Sequence, residues 1–239
     1  MNQNYSILAG YYDKFTHKDC DYERWSQYLY NIAKKHTVCE IVDIACGTGK
    51  MTKRLSDLGL RAIGIDRSID MLNVAQTKCK AKFVQQDMTK LQLAHAVDMA
   101  ICINDGVNYL KPSELVPFFK RVAANVKQGA PFVFDVSSEY KLTQIVGSNV
   151  FFWDDEGETL LWSNSFKGDT VEMNLTLFVD DGNGRYVRHD ERHLQYIHTV
   201  SYVQSALDNA GFEVIEVSSD YGEPLSATSQ RISFYATKK

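Results

Sequence analysis

The sequence predicts an α/β fold in which a doubly wound parallel sheet is interrupted by a small antiparallel sheet. Three observations predict it. Short apolar runs alternate with helical patterns from residue 40 to 136. Residues 170–179 then switch to strict period-two alternation, the mark of a half-buried antiparallel strand. After Thr199 the helix–strand rhythm resumes.

The first element is a helical stretch over residues 5–35. Tyr22, Trp25, Tyr28, Leu29 and Ile32 recur three and four apart and form one apolar-aromatic face. Residues 40–45 make the first strand, which runs into Cys46-Gly47-Thr48-Gly49 and a helix over 50–58. Residues 61–66 are the second strand. Ser68 caps a helix that sets Met71, Leu72 and Ala75 on one face. Residues 82–87 and 97–103 are the third and fourth strands, 113–127 a helix stopped before Gly129, and 131–136 the fifth strand. Val171, Met173, Leu175, Leu177 and Val179 then face one side of a strand, with partners expected over 150–153, 159–166 and 186–197. Gly168-Asp169 and residues 181–184 are its turns. Thr199 caps a helix to Ala210, and strands over 212–217 and 231–236 close the chain. The implied layout is an N-terminal helical segment (1–36), an α/β domain (37–140 with 198–239) and an inserted antiparallel lid (141–197).

Composition narrows the function classes. The 239 residues are 44% hydrophobic and 23% charged, the balance of a folded chain rather than a disordered one. A net charge of −4 argues against a nucleic-acid partner, which calls for a basic field. No apolar run approaches the roughly 20 residues of a membrane span, and residues 1–12 do not read as a secretory signal. Cys20, Cys39, Cys46, Cys79 and Cys102 are odd in number, and no two have metal-site spacing. The expectation is a cytoplasmic protein with free thiols, no metal and no assigned oligomeric state.

The glycine loop carries the chemistry. A strand, a Gly-x-Gly turn and a helix N-terminus let a ligand approach the backbone closely at the carboxyl ends of parallel strands. Asp66 ends the next strand, where a carboxylate can accept both ribose hydroxyls of a nucleoside. A dinucleotide loop would need a third glycine, but Thr52 stands there, and the spacing before Lys50 is not that of a Walker loop. A pyrophosphate ligand is therefore disfavoured.

Residues 42–49, Val-Asp-Ile-Ala-Cys-Gly-Thr-Gly, resemble motif I of class I S-adenosylmethionine-dependent methyltransferases, with Ala45 in place of the first glycine. Residues 64–72, 86–88 and 97–104 resemble the family's next three motifs. Tyr12-Asp13 and Asp21-Tyr22-x-x-Trp25 are similar to a bacterial branch that acts on small molecules. The resemblance covers nearly the whole chain. It implies a seven-stranded Rossmann-like sheet with the last strand antiparallel, and S-adenosylmethionine as cofactor with S-adenosylhomocysteine as product. It implies cofactor contacts from Asp43, Ala45, Cys46, Gly47, Gly49, Asp66, Met71, Asp87, Met88 and Asn104. Asp66 would take the ribose, Met71 the adenine face, Asp87 the adenine amino group, and Asp43 the ammonium directly or through water. Asp87 also reads as a simple turn residue.

Methyl transfer from a sulfonium is an in-line displacement, so the protein's part is alignment and a dry site. Tyr12 and Tyr109 are the candidates for orienting an N or O atom of a small-molecule acceptor, beside Asn104 and Asp105. Tyr11 could exchange roles with Tyr12, and Tyr109 reads equally as a packing residue. The aromatic-rich insert reads as the acceptor lid; Arg192, His193 and Tyr196 on its returning strand could face the site, and His193 reads also as a surface or packing residue. Three other readings stay open: a non-catalytic cofactor-binding module, an RNA methyltransferase, and a nicotinamide oxidoreductase.

Overall fold

A computed structural model of the chain describes residues 8–16, 20–155 and 157–239. The parts of the expected first helix at residues 5–7 and 17–19 lie outside them. Within the described residues that stretch is two helices, α1 (Leu8–Thr16) and α2 (Tyr22–Lys35). Asp21 caps α2 by accepting from the Arg24 amide, so the second helix starts on its own signal.

Strands and helices then alternate: β1 (Glu40–Ile44), α3 (Lys50–Asp57), β2 (Arg61–Asp66), α4 (Ile69–Lys78), β3 (Lys82–Gln85), β4 (Met99–Cys102), α5 (Leu115–Asn125) and β5 (Pro131–Ser137). β4 is shorter than the apolar run expected over 97–103. Val97 makes only an isolated bridge to Val126, and the Asp98 carboxylate accepts the amides of Cys39 and Glu40. The helix expected over 113–127 begins with a separate 3-10 turn, Pro112–Glu114. It ends at Asn125, whose side chain bonds Leu91 and Leu93.

A four-stranded antiparallel sheet follows, β6 (Val150–Asp155), β7 (Glu158–Lys167), β8 (Thr170–Asp180) and β9 (Tyr186–Tyr196), in sequential order. A π-helical turn, Lys141–Val146, leads into it. Then come α6 (Val200–Asn209), β10 (Phe212–Ser219) and β11 (Arg231–Lys238).

The main sheet has seven strands in the order β3-β2-β1-β4-β5-β11-β10. β11 runs antiparallel to both its neighbours, and the rest of the ladder from β3 to β5 is parallel. Its strands are apolar on both faces because helices cover both. Phe118, Phe119, Phe132, Phe134, Phe212 and Phe234 fill one side, and Trp25, Leu29, Ile41 and Leu55 the other. Since β1 lies between β2 and β4, the turns after β1 and β4 adjoin where the chain's order reverses. Crevices open at such points. No helix among the described residues is long and apolar enough to cross a membrane.

Candidate active site

A cavity of about 250 Å³ opens at this reversal. Its floor is the turn after β1, where Ala45, Gly47 and Gly49 all hold left-handed φ, +56°, +53° and +72°. Gly47 lines the cavity, and a Cβ on it would meet no protein atom within 4 Å, so a side chain there would occupy ligand space. Gly49 does a different job. A Cβ there would stand 2.8 Å from the Cβ of Ala75, so the glycine lets α3 pack close to α4.

Carboxylates rim the cavity. Asp66 accepts from the Gly47 and Ser68 amides at 2.9 Å each, which ties the glycine turn to the end of β2. Burial raises its carboxyl above the ordinary value, and those amides pull it back. Asp43 is fully buried. Burial pushes its carboxyl up to about 7, opposed by the Thr52 hydroxyl donating at 2.5 Å. The residue that replaces a dinucleotide loop's third glycine is thus the partner of the motif's acid. Asp87 lines the cavity and also caps the short turn after β3 through Thr89. Met71 and Met88 supply apolar wall.

The turn after β4 is the far wall. Asn104 and Asp105 both lie at left-handed φ, +69° and +54°. For non-glycine residues this conformation needs external support. Asp135 supplies it by accepting the Asn104 amide at 2.6 Å and the Asp105 amide at 2.7 Å. Arg231 pairs with Asp135 at 2.5 Å and donates to the Asn104 side chain at 2.9 Å, while Tyr221 donates its hydroxyl to Asp135. The guanidinium lies over the Trp25 ring at 4.5 Å.

A second cavity, about 140 Å³, lies between this wall and the inner face of the four-stranded sheet. Tyr12, Asn104, Asp105 and Tyr109 line both cavities. The Asn104 side-chain Nδ2 donates to the Tyr12 hydroxyl at 3.1 Å. Burial, and after it the Asp105 carboxylate, raises the Tyr12 phenol well above its ordinary value. Tyr109 meets His193 of β9 edge to face, with ring centroids 6.1 Å apart. The Asp105 carboxylate accepts from Ser137 at 2.9 Å.

Helix α1 holds the two cavities together. Asp13 bonds Thr48 at 2.7 Å and pairs with Lys50 and Lys78 on the first-cavity side. Lys14 pairs with Asp155 and Glu158 of the small sheet, against which Leu8 and Phe15 also pack.

Of the residues read from the sequence, Tyr12, Asp43, Ala45, Cys46, Gly47, Asp66, Met71, Asp87, Met88, Asn104 and Tyr109 line the first cavity. Gly49 does not; it acts through packing, as above. Sequence reasoning missed the Asp135–Arg231 pair, because the two residues lie 96 positions apart and belong to no motif. His193, for which the sequence leaves open either facing the site or packing, lines the second cavity.

Residues 41–129 match the family model described as a methyltransferase domain. Over 98% of this chain and 99% of the relative, the sequence is 34% identical to a Geobacillus sp. (strain WCH70) protein named "Putative methyltransferase GWCH70_2453". The chain belongs to the class I S-adenosylmethionine-dependent methyltransferases. A crystal structure of an S-adenosylmethionine-dependent methyltransferase from Clostridium acetobutylicum ATCC 824 superposes with a TM-score of 0.89, at 29% identity over 98% of each chain. A more distant relative, 23% identical over 82% of this chain and 80% of its own, is the dTDP-3-amino-3,6-dideoxy-alpha-D-glucopyranose N,N-dimethyltransferase of Streptomyces fradiae. The methyltransferase cofactor is S-adenosylmethionine, and the first cavity suits its chemistry. The open face of Gly47 leaves room for the ligand, and the rim offers acceptors for hydroxyls, an amino group and an ammonium.

Proposed function

We propose that this methyltransferase transfers a methyl group to an amine nitrogen of a small-molecule acceptor. The observation that carries the proposal is the wall shared by the two cavities, made by Tyr12, Asn104, Asp105 and Tyr109. In this reading the first cavity holds the cofactor and the second the acceptor. Asp66 takes the ribose hydroxyls, Met71 and Met88 flank the adenine, and Asp87 accepts its amino group. The backbone of Ala45, Cys46 and Gly47 carries the amino-acid end, with Asp43 and Asn104 beside it.

S-adenosylmethionine supplies an electrophilic methyl on sulfur. The chain's residues orient the acceptor and exclude water. A neutral amine nitrogen attacks the methyl through its lone pair with no base needed beforehand, forming the new N–C bond as the C–S bond breaks, and the surplus N–H proton passes to solvent. Nitrogen is favoured over an alcohol oxygen because an alcohol calls for a base. The phenol at the junction, Tyr12, is held protonated by burial. The Asp105 side chain lines both cavities at this junction and can accept a hydrogen bond from an amine N–H. The Streptomyces fradiae relative is named for N-methylation of an amino sugar, which supports the same choice.

The experiment is mass spectrometry after incubation with methyl-labelled cofactor and paired amino and hydroxy versions of small sugars. Labelled methyl is expected on the amino compounds only. Label on the hydroxy compounds alone would overturn the assignment to nitrogen.

A further inference from the structure

The inner face of the small sheet departs most from an apolar pattern on β9. On β7 and β8 the positions facing the second cavity are mostly apolar: Leu160, Trp162, Met173 and Leu175 line it. On β9 the inward positions are Glu191, His193 and Gln195, which pair across the ladder with Leu175, Met173 and Val171. His193 and Gln195 are 2% and 3% exposed. A run of polar side chains on the buried face of a strand conflicts with the packing rule for sheets, and such conflicts cluster at functional sites.

Within the stripe, Glu191 accepts the Leu8 amide at 3.1 Å and meets the His193 ring at 3.2 Å. Gln195 differs. Its Oε1 is buried and has no hydrogen-bond partner among the described residues, although the side chain lines the cavity. Trp162, on the same face, likewise has a buried Nε1 without a partner among them. Buried polar atoms are nearly always paired, and the cavity that both side chains line has room for the missing partner. Here one atom is a hydrogen-bond acceptor and the other a donor. A hydroxyl can satisfy either.

We propose that Gln195 and Trp162 are specificity-determining residues that select a hydroxyl-bearing ring as the methyl acceptor. The inference rests on the second cavity being the acceptor chamber. The hydroxyls bond Gln195 Oε1 and Trp162 Nε1, while the apolar floor receives the ring's C–H faces. An amine of the same ring size without hydroxyls would leave both groups unsatisfied, which is the basis of strong discrimination.

The test is ligand-observed NMR on the full-length protein loaded with S-adenosylhomocysteine, with D-glucosamine and cyclohexylamine as probes. D-glucosamine is expected to bind at least about tenfold more tightly. Gln195→Leu removes the acceptor, and Trp162→Phe removes the donor while keeping an aromatic ring. Each is expected to cut the preference at least about fivefold. Affinity for S-adenosylhomocysteine should stay within about twofold of the parent, which shows that the variants are folded. Equal binding of the two probes, or variants that keep the parent's preference, would overturn the proposal. Methyl transfer to D-glucosamine, measured on the same samples, reports separately on amine methylation. Selective binding without transfer would remove D-glucosamine methylation and leave recognition by Gln195 and Trp162 standing.

Discussion

The Asp135 carboxylate and the Arg231 guanidinium form a buried ion pair, 2.5 Å apart, directly beneath the turn that carries Asn104 and Asp105. Each of the two strands that meet here, β5 and β11, contributes one partner. The pair holds the turn because Asp135 also accepts both of its amides. Asp135→Asn would leave a buried cation whose other ion-pair partner, Asp220, lies 3.6 Å away. A loss of about 3–5 kcal/mol is expected, read as a lower thermal midpoint and weaker binding of S-adenosylhomocysteine. A variant that melts with the parent would show that the turn does not depend on this charge.

Asp66 is the acceptor at the end of β2. Asp66→Ala is expected to weaken S-adenosylhomocysteine binding about 10- to 100-fold, the scale of one or two hydrogen bonds to a charged group. Isothermal calorimetry measures this directly, and unchanged affinity would refute the ribose role.

Asp43 links stability to pH. Its folded carboxyl sits at about 7, above the ordinary carboxylate value near 3.8, because of burial. The folded protein therefore holds this proton more tightly than the unfolded chain. The resulting stabilisation is full below the unfolded value and is lost as pH rises through about 7. The parent's thermal midpoint should fall between about pH 5 and pH 8 more steeply than that of Asp43→Asn. Asp66 is shifted in the same direction, so the variant removes only part of the slope.

Ala45 occupies left-handed backbone at the motif's first glycine position. Ala45→Gly relieves a strain of about 1 kcal/mol and is expected to raise the thermal midpoint by roughly 2–4 °C. A lower midpoint would mean that the side chain's packing outweighs the strain.

Much of this was readable from the chain. Clean alternation in residues 170–179 marked β8, and its turns at Gly168-Asp169 and Asp181–Gly184 fall where the side-chain chemistry placed them. Ser68 and Thr199 cap helices as expected, through bonds to the Met71 and Tyr202 amides. Errors gathered where tertiary contacts override local pattern. The apolar run at 97–103 is trimmed because Asp98 is drawn to the Cys39 and Glu40 amides. Local spacing likewise carries no trace of Ala75, whose side chain Gly49 lets approach.

The sequence by itself determined the seven-stranded α/β frame, the inserted antiparallel sheet, the methyltransferase family and the cofactor. All of these depend on periodicity and on short motifs whose residues are neighbours along the chain. Only the tertiary structure decided that Tyr12 and Asn104, 92 positions apart, join in one wall between two cavities. It alone brought Asp135 and Arg231 together and turned His193 and Gln195 toward the second cavity. These relationships arise from strand order and from which face of a strand is buried, and side-chain identity encodes neither until the sheets have packed.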